Sequence, residues 1–510
     1  MTTPYDEVPY DGAAQRFVHP DKLAAMAILH SLKPASPDNC RVLEIGCAAG
    51  ETLVPMAESL PGSEFVGIDY AERQVAAGQR AIVESGLSNV RIEHLDITQA
   101  GAELDQFDYI VAHGIYSWVP PSVRESLLAL CKSALKPGGI AYISFNAMPG
   151  HLFKQYVRDM LRLHTRDVAD PVERVREAVT LAQLLNANLL PGTPLAALMR
   201  AYAPEMGERA GPAILHDELG EVNEAFYFSE FARDIRRHGL EYLSDVEFNA
   251  EVLTHLPPAL RAVIAEKAKS FDDVEDYKDL FVCRYFRRAL VCHDDAPINR
   301  EVKPSPSTFD ALWLTSPARP VDVEAKAGQP EGVVTFRRET GESLSTNHPV
   351  TKAAMTILGQ EYPLAMPFPE LLRRSLHACG VSSADAAHHA EILAANVLTS
   401  LSRTGELISL SASPDVFTVE VSERPFAAAS ARLAARRGEL TVPNARLDLV
   451  GVDEVSLRLL ILVDGTRDRE ALLRGFRRLV ARDFAGAAEP AMDDVEALLG
   501  EFAQSALLLR

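Results

Sequence analysis

What this chain has little of narrows its class before any motif is read. Cysteine is scarce: Cys40, Cys47, Cys131, Cys283, Cys292 and Cys379 are the six in 510 residues, and no two form a C-x-x-C pair. That usage argues against a disulfide framework or a structural zinc site. No apolar run reaches the roughly 20 residues that a membrane span requires. The segment Met1–Glu7 has neither a basic start nor an apolar stretch, so it does not read as a signal peptide, and a cytoplasmic location is expected. Positive charge is in deficit. Lys and Arg number 51 against 71 Asp and Glu, a net charge of −20. This opposes non-specific binding to nucleic acid or anionic membrane, which needs a basic surface. H-E-x-x-H and G-x-S-x-G are both absent, and Cys283, Cys292 and His293 have no fourth partner, so no metal is expected.

What is present is an ordinary globular composition, 47% hydrophobic and 24% charged, in a chain long enough for about three domains. Residues 40–146 alternate strand and helix signals. Short apolar runs at 40–45, 64–69, 90–96, 108–113 and 140–145 are separated by helical spacing at 52–60, 71–85 and 122–135, with Lys136-Pro137-Gly138-Gly139 as the stop before the fifth run. The pattern predicts an α/β fold, a Rossmann-like, doubly wound, mostly parallel sheet. Ligands of such sheets sit beyond the carboxyl ends of the strands.

The turn after the first strand reads Gly46-Cys47-Ala48-Ala49-Gly50. A dinucleotide fingerprint would place glycine at 48 and 51, where Ala48 and Glu51 stand. Glu51 would set a negative charge where a pyrophosphate rests on helix N–H groups. A cationic ligand without phosphate fits better, and S-adenosylmethionine (SAM) carries a sulfonium, an α-ammonium and no phosphate. Asp69 ends the second strand and can accept both ribose hydroxyls. Asp96, after the third, can accept from an adenine amine with Ile97 beside the ring. Glu44 can orient the loop or reach the ammonium through water.

This ordered set resembles the class I SAM-dependent methyltransferases, whose first motif, acid-x-Gly-x-Gly-x-Gly, appears here as Glu44-Ile45-Gly46-Cys47-Ala48-Ala49-Gly50 with Ala48 for the middle glycine. The resemblance implies SAM as cofactor, held by Glu44, Gly46, Cys47, Ala48, Gly50, Asp69, Tyr70, Asp96, Ile97, His113 and Gly114. Segments 113–120, 144–150, 5–10 and 19–21 look like a bacterial subgroup with an appended methyltransferase regulatory domain, which includes protein-lysine methyltransferases acting on outer-membrane proteins. Its usual Pro-Gly-Trp is Pro149-Gly150-His151 here. The resemblance implies a protein-lysine acceptor. The alternatives are a small-molecule N- or O-methyltransferase and a SAM-binding regulatory protein without turnover. Tyr116, Trp118 and Phe145 are candidates for a dry aromatic channel, with His113 or Tyr116 as proton relay. The catalytic set is therefore His113, Tyr116 and Trp118.

Residues 1–150 are read as the SAM-binding domain and 151–295 as a mainly helical α+β regulatory domain, in which His216 and Asp217 either contact substrate or cap a loop. Arg284, Arg287 and Arg288 there either bind an acidic peptide or form a solvated helix face. Residues 309–430 read as a winged-helix-like module, preceded by a Pro-rich linker at 294–307, with a polar loop at 319–331 inside or before it. Residues 431–510 read as a further helical module. A winged helix would suit DNA, yet the candidate recognition helix 384–402 carries no Lys or Arg, and phosphate contact requires them. A protein partner is expected instead.

Overall fold

A computed structural model describes residues 4–10, 12–101, 104–208, 211–250, 253, 256–321, 332–403 and 407–510. The chain begins with the short helix α1 (Pro4–Glu7) and α2 (Pro20–Leu29). It then builds β1 (Arg41–Ile45), α3 (Leu53–Ser59), β2 (Glu64–Asp69), α4 (Glu72–Ser85), β3 (Val90–His94), β4 (Phe107–Ala112), α5 (Pro121–Ala134) and β5 (Leu135–Ala147). Strands β1 to β5 are parallel, in the order 3-2-1-4-5. Their interior positions are apolar on both faces, as a sheet covered by helices on both sides requires. The Lys136–Gly139 turn is absorbed into the start of β5, at a register shift between Phe107 and Tyr109.

Position 150 is not a boundary of the sheet, as the sequence pattern had suggested. Helices α6 (His151–His164), α7 (Pro171–Asn188) and α8 (Pro194–Glu208) form a separate small core around Val157, Leu161, Met199 and Met206. The chain then returns to the same sheet. β6 (Ala225–Phe226) pairs with the end of β5, β7 (Leu240–Asp245) lies at the far edge, and β8 (Phe286–His293) runs antiparallel between β5 and β7. The residues expected as a separate middle domain therefore complete the sheet, with the helices as an insertion over its carboxyl end.

Strand β8 also corrects the reading of the arginines. Arg287 is fully buried, and its guanidinium meets Asp245, Glu275 and Asp279 at 2.7–3.0 Å. Arg284 pairs with Asp245 and Asp279, and Arg288 with Glu247. Three carboxylates, Asp245 on β7 and Glu275 and Asp279 on the helix Phe271–Val282, make the burial of the Arg287 charge tolerable. These arginines are neither a solvated face nor a peptide clamp.

Further along lie helices Pro349–Glu361, Phe368–Ala378 and Ala386–Arg403 with two three-stranded sheets, then a C-terminal unit with helices Ala429–Arg437, Glu454–Leu460, Arg469–Asp483 and Met492–Gln504. Residues 322–331, within the loop expected at 319–331, lie outside the described residues. The N-terminal segment ties these parts together. Asp21 accepts the N–H groups of Ala412 and Ser413, the Lys22 ammonium donates to the Leu410 carbonyl, and Arg16 pairs with Asp448. Among the described residues no helix is long and apolar enough to cross a membrane.

Candidate active site

The carboxyl ends of β1, β2, β4 and β5 open into a cavity of about 780 Å³. Its floor is the turn after β1. Gly46 has φ +70°, which strains an L side chain, and a Cβ there would lie 2.3 Å from Ile115 Cδ1 and force that side chain to move. Ala48 takes the same left-handed region, φ +48°, in spite of its methyl group. Its N–H donates to Asp69 Oδ2 at 2.8 Å, while Asp69 Oδ1 accepts the Ala71 N–H at 2.8 Å. Asp69 thus braces the turn, and each oxygen keeps a second lone pair for a ligand. Burial raises the pKa of its carboxyl above the ordinary range.

Glu44, inside β1 next to the lining residues Ile45 and Gly46 but not itself among them, supplies the main electrostatic feature. It is buried and Oε2 has no hydrogen-bond partner. Burial, with Glu51 and Asp69 as negative neighbours, pushes its pKa up to about 8. Buried polar atoms are ordinarily satisfied, so an orphaned carboxylate oxygen marks a place for a donor. Three acids around one turn suit a cation and repel a phosphate. The α-ammonium of SAM fits that donor requirement, and its sulfonium suits the negative surroundings. Tyr70 stands half exposed at the rim, and Asp96 and Ile97 line the adjoining wall. Asp96 Oδ1 is taken by the N–H and hydroxyl of Thr98, which orients the carboxylate.

Beyond β4, His113 and Gly114 line the cavity. His113 Nδ1 sits 3.0 Å from the Tyr142 hydroxyl and 3.3 Å from Ser144 Oγ, and burial with the nearby Arg288 charge lowers its pKa to about 4. The ring is neutral near pH 7. Trp118 lines the cavity, and its buried Nε1–H has no acceptor.

Four sequence-derived candidates lie elsewhere. Tyr116 is fully buried away from the cavity, packed edge-on to Phe145, Phe226 and Phe231, and its hydroxyl donates to Asp234 at 2.9 Å. Burial and the Asp234 charge raise its pKa, so it is neither channel wall nor relay. Phe145 stacks on Phe231 in the same core. The Cys47 side chain packs under the turn against Gly67, where a Cβ would lie 2.6 Å from Sγ. Gly50, φ +80°, also turns inward, toward Ile92 and Val54. Cys47 and Gly50 shape the turn and do not line the cavity.

The opposite wall carries Asp217, one of the two residues read as either substrate contacts or loop caps, together with residues that sequence reasoning did not assign. His151 and Lys154 come from α6, Asp217, Glu218 and Asn223 from the end of the helical insertion, and Tyr285 and Phe286 from the start of β8. Neither His151 ring nitrogen makes a well-formed hydrogen bond, although Asn223 lies beside it, and burial with the Lys154 and Arg158 charges lowers its pKa to about 4. Its position directly after Pro149-Gly150 was the one available signal. The N-terminal segment crosses the mouth. Tyr5 stacks on His216 at 4.2 Å, His216 Nε2 meets the Val8 carbonyl at 2.7 Å, and Asp6 accepts the Arg73 N–H. His216 anchors this strap, whereas Asp217 faces the cavity.

A family model described as a methyltransferase domain matches residues 43–141, one described as a predicted methyltransferase regulatory domain matches 212–293, and one described as the PKMT C-terminal winged helix domain matches 423–507. The winged-helix match thus falls largely on the segment expected as a helical module, C-terminal to residues 309–430. The uncharacterized protein RP789 of Rickettsia prowazekii is 31% identical over 374 residues, covering 72% of this chain and 67% of that protein. RP028 of the same organism is 32% identical over 240 residues, 47% of this chain and 96% of that protein. The fold is similar to that of PKMT2 from Rickettsia typhi, with a TM-score of 0.85 at 23% identity, covering 98% of this chain and 100% of that one. A complex of that protein with AdoHcy superposes with a TM-score of 0.83.

Proposed function

This chain belongs to a family of class I SAM-dependent methyltransferases that joins a methyltransferase domain to a regulatory domain and a winged-helix domain, and from that premise we propose that its methyl acceptor is the ε-amine of a lysine in a polypeptide. The observation that carries the proposal is the wall facing the strand ends. It combines the aromatic faces of Trp118, Tyr285 and Phe286 with the carboxylates of Asp217 and Glu218 and the uncharged imidazole of His151. Aromatic faces and carboxylates attract an alkylammonium, and the aromatic bulk excludes water. The PKMT name of the winged-helix model and the Rickettsia typhi PKMT2 fold support the same reading.

On this reading Glu44, Gly46, Ala48, Asp69, Asp96, Ile97, His113 and Gly114 hold SAM, with Tyr70 at the rim and Cys47 and Gly50 shaping the turn. Bound SAM supplies a methyl group already activated on a sulfonium, so no metal is needed. The protein's work is alignment and water exclusion, which account for much of the barrier reduction in such a transfer. It must also take a proton. With a pKa near 10.4, only about one lysine in a thousand is neutral at pH 7.4. Entry into an aromatic, dehydrated wall lowers that pKa by desolvation. His151 and His113, both neutral, line the cavity and on this reading take up the proton as the amine is deprotonated. Trp118 Nε1–H is left to donate to a carbonyl of the incoming polypeptide.

The test is incubation of the pure protein with deuteromethyl-labelled SAM and a host lysate, followed by peptide mass spectrometry. Label on lysine ε-amines is expected. Label confined to carboxylates, cysteines or small metabolites ends the lysine reading and leaves the cofactor assignment intact.

A further inference from the structure

Among the residues that line the cavity, Lys154 is the one lysine. It stands one turn after His151 on α6, and His151, Lys154 and Arg158 present a single helical face to the cavity. Arg158 is fixed there by hydrogen bonds to the Asp217 and Gly220 carbonyls. Lys154 is held differently. Among the described residues no carboxylate pairs with it. Its Nζ lies 4.3 Å from the centroid of the Tyr285 ring and 5.8 Å from that of Tyr202. Two tyrosine faces around one ammonium are the arrangement by which proteins recognise alkylammonium and methyl-lysine groups. A long, flexible side chain with no polar anchor can leave those rings at small cost and reach across the cavity. The side chain is covalently tethered, so its local concentration at the site exceeds that of any free polypeptide.

We propose that Lys154 is a methylation site of the protein itself, modified in cis within this cavity. The inference rests on the lysine-acceptor reading above. In the transfer the neutral Lys154 Nζ takes the methyl group. The N–C bond forms from the nitrogen lone pair as the sulfonium S–C bond breaks and its electron pair stays on sulfur, leaving a thioether. The proton that Nζ carried beforehand goes to His151 and then to water. Methylation leaves a cation that still sits on Tyr285 and Tyr202 but has fewer N–H groups to solvate. The modified side chain is thereby biased toward its place on the tyrosines, out of the path of an incoming lysine.

The test uses the full-length protein with deuteromethyl-labelled SAM, alone and with host lysate, and maps the peptide spanning residues 151–158. Label at Lys154 is expected, appearing with a first-order rate that is independent of protein concentration. A second readout needs no turnover. Acylation of Lys154 by an amine-reactive ester, followed by mass spectrometry, should slow when AdoHcy is bound, as it would for an amine sharing the cofactor's cavity. Labelled lysines in lysate proteins with Lys154 unlabelled would overturn this inference and leave the acceptor reading standing. A Lys154 labelling rate that rises with protein concentration would overturn modification in cis, and acylation indifferent to AdoHcy would overturn the placement. Absence of label on any lysine, with AdoHcy binding established by calorimetry, would overturn the lysine-acceptor reading and this inference with it.

Discussion

Replacing Glu44 by glutamine tests the electrostatic reading of the cofactor site most directly. The side chain keeps its size and loses its charge. In the cofactor-free protein the Glu44 carboxyl has a pKa of about 8, against 4.5 in an unstrained setting. The folded state thus holds this proton more tightly than the unfolded chain does. The stability linked to Glu44 is fully present below pH 4.5 and is lost as pH rises through 8. Over that interval the loss amounts to about 5 kcal/mol at about 1.36 kcal/mol per pH unit. Glu44→Gln should abolish it, so the variant's methyltransferase domain should unfold at higher urea than wild type at pH 8 and show no such advantage at pH 4.5. Binding of a cationic cofactor works in the opposite direction, because it favours the carboxylate. At pH 7 the empty site is about nine-tenths protonated, so binding should release about 0.9 proton and affinity should rise about tenfold between pH 6 and pH 7. A hydrogen bond to a charged group contributes about 1.5–3 kcal/mol, close to the cost of ionising Glu44 at pH 6, so variant and wild type should bind similarly there and diverge above. Calorimetry with SAM in two buffers of different ionisation enthalpy measures both quantities. A wild-type affinity flat from pH 6 to 7 with no proton release, or the same slope in Glu44→Gln, would refute the reasoning.

Asp69→Asn should weaken SAM binding about 10- to 150-fold, the equivalent of about 1.5–3 kcal/mol for a lost charged acceptor; unchanged affinity by calorimetry would remove Asp69 from the site. Tyr116→Phe should leave the methylation rate within about twofold and cost about 1 kcal/mol of stability, because its hydroxyl serves Asp234 and not the cavity; a collapse of kcat with normal unfolding would restore it to the catalytic set. Arg287→Ala leaves Asp245, Glu275 and Asp279 buried without their shared cation, and a loss of about 3–5 kcal/mol in urea unfolding is expected; a loss below 1 kcal/mol would show that the cluster relaxes or takes up water.

The cofactor half of the site was legible because its signals are local. The period of each strand, the glycine turn after β1 and the acids at or just after the ends of the first three strands are each read from a few neighbouring residues, and the backbone enforces their geometry. The acceptor half was not, because its wall is assembled from α6, residues 217–223 and the start of β8, which meet only in the folded chain. Tyr116 shows the same limit. An aromatic after β4 reads identically whether it faces cavity or core, and the choice was made by Phe231 and Asp234 on a helix far along the chain. Arg287 read as exposed because its three carboxylates come from β7 and from helix Phe271–Val282, invisible to a local pattern. The boundary at 150 failed for the related reason that β8 pairs across an intervening helical insertion.

That pairing has a practical consequence for anyone dividing the chain. A fragment ending at Gly150, the boundary that the sequence pattern suggests, would strip β8 from β5 along Ala141–Asn146. The bared edge would carry the open N–H and C=O groups of Ile143 and Phe145, side chains fully buried in the intact protein. A long, apolar, unpaired edge is a template for intermolecular strand addition. The fragment would therefore be expected to collect in inclusion bodies, and recovery of soluble material would require residues through His293, the end of the strand that seals the edge.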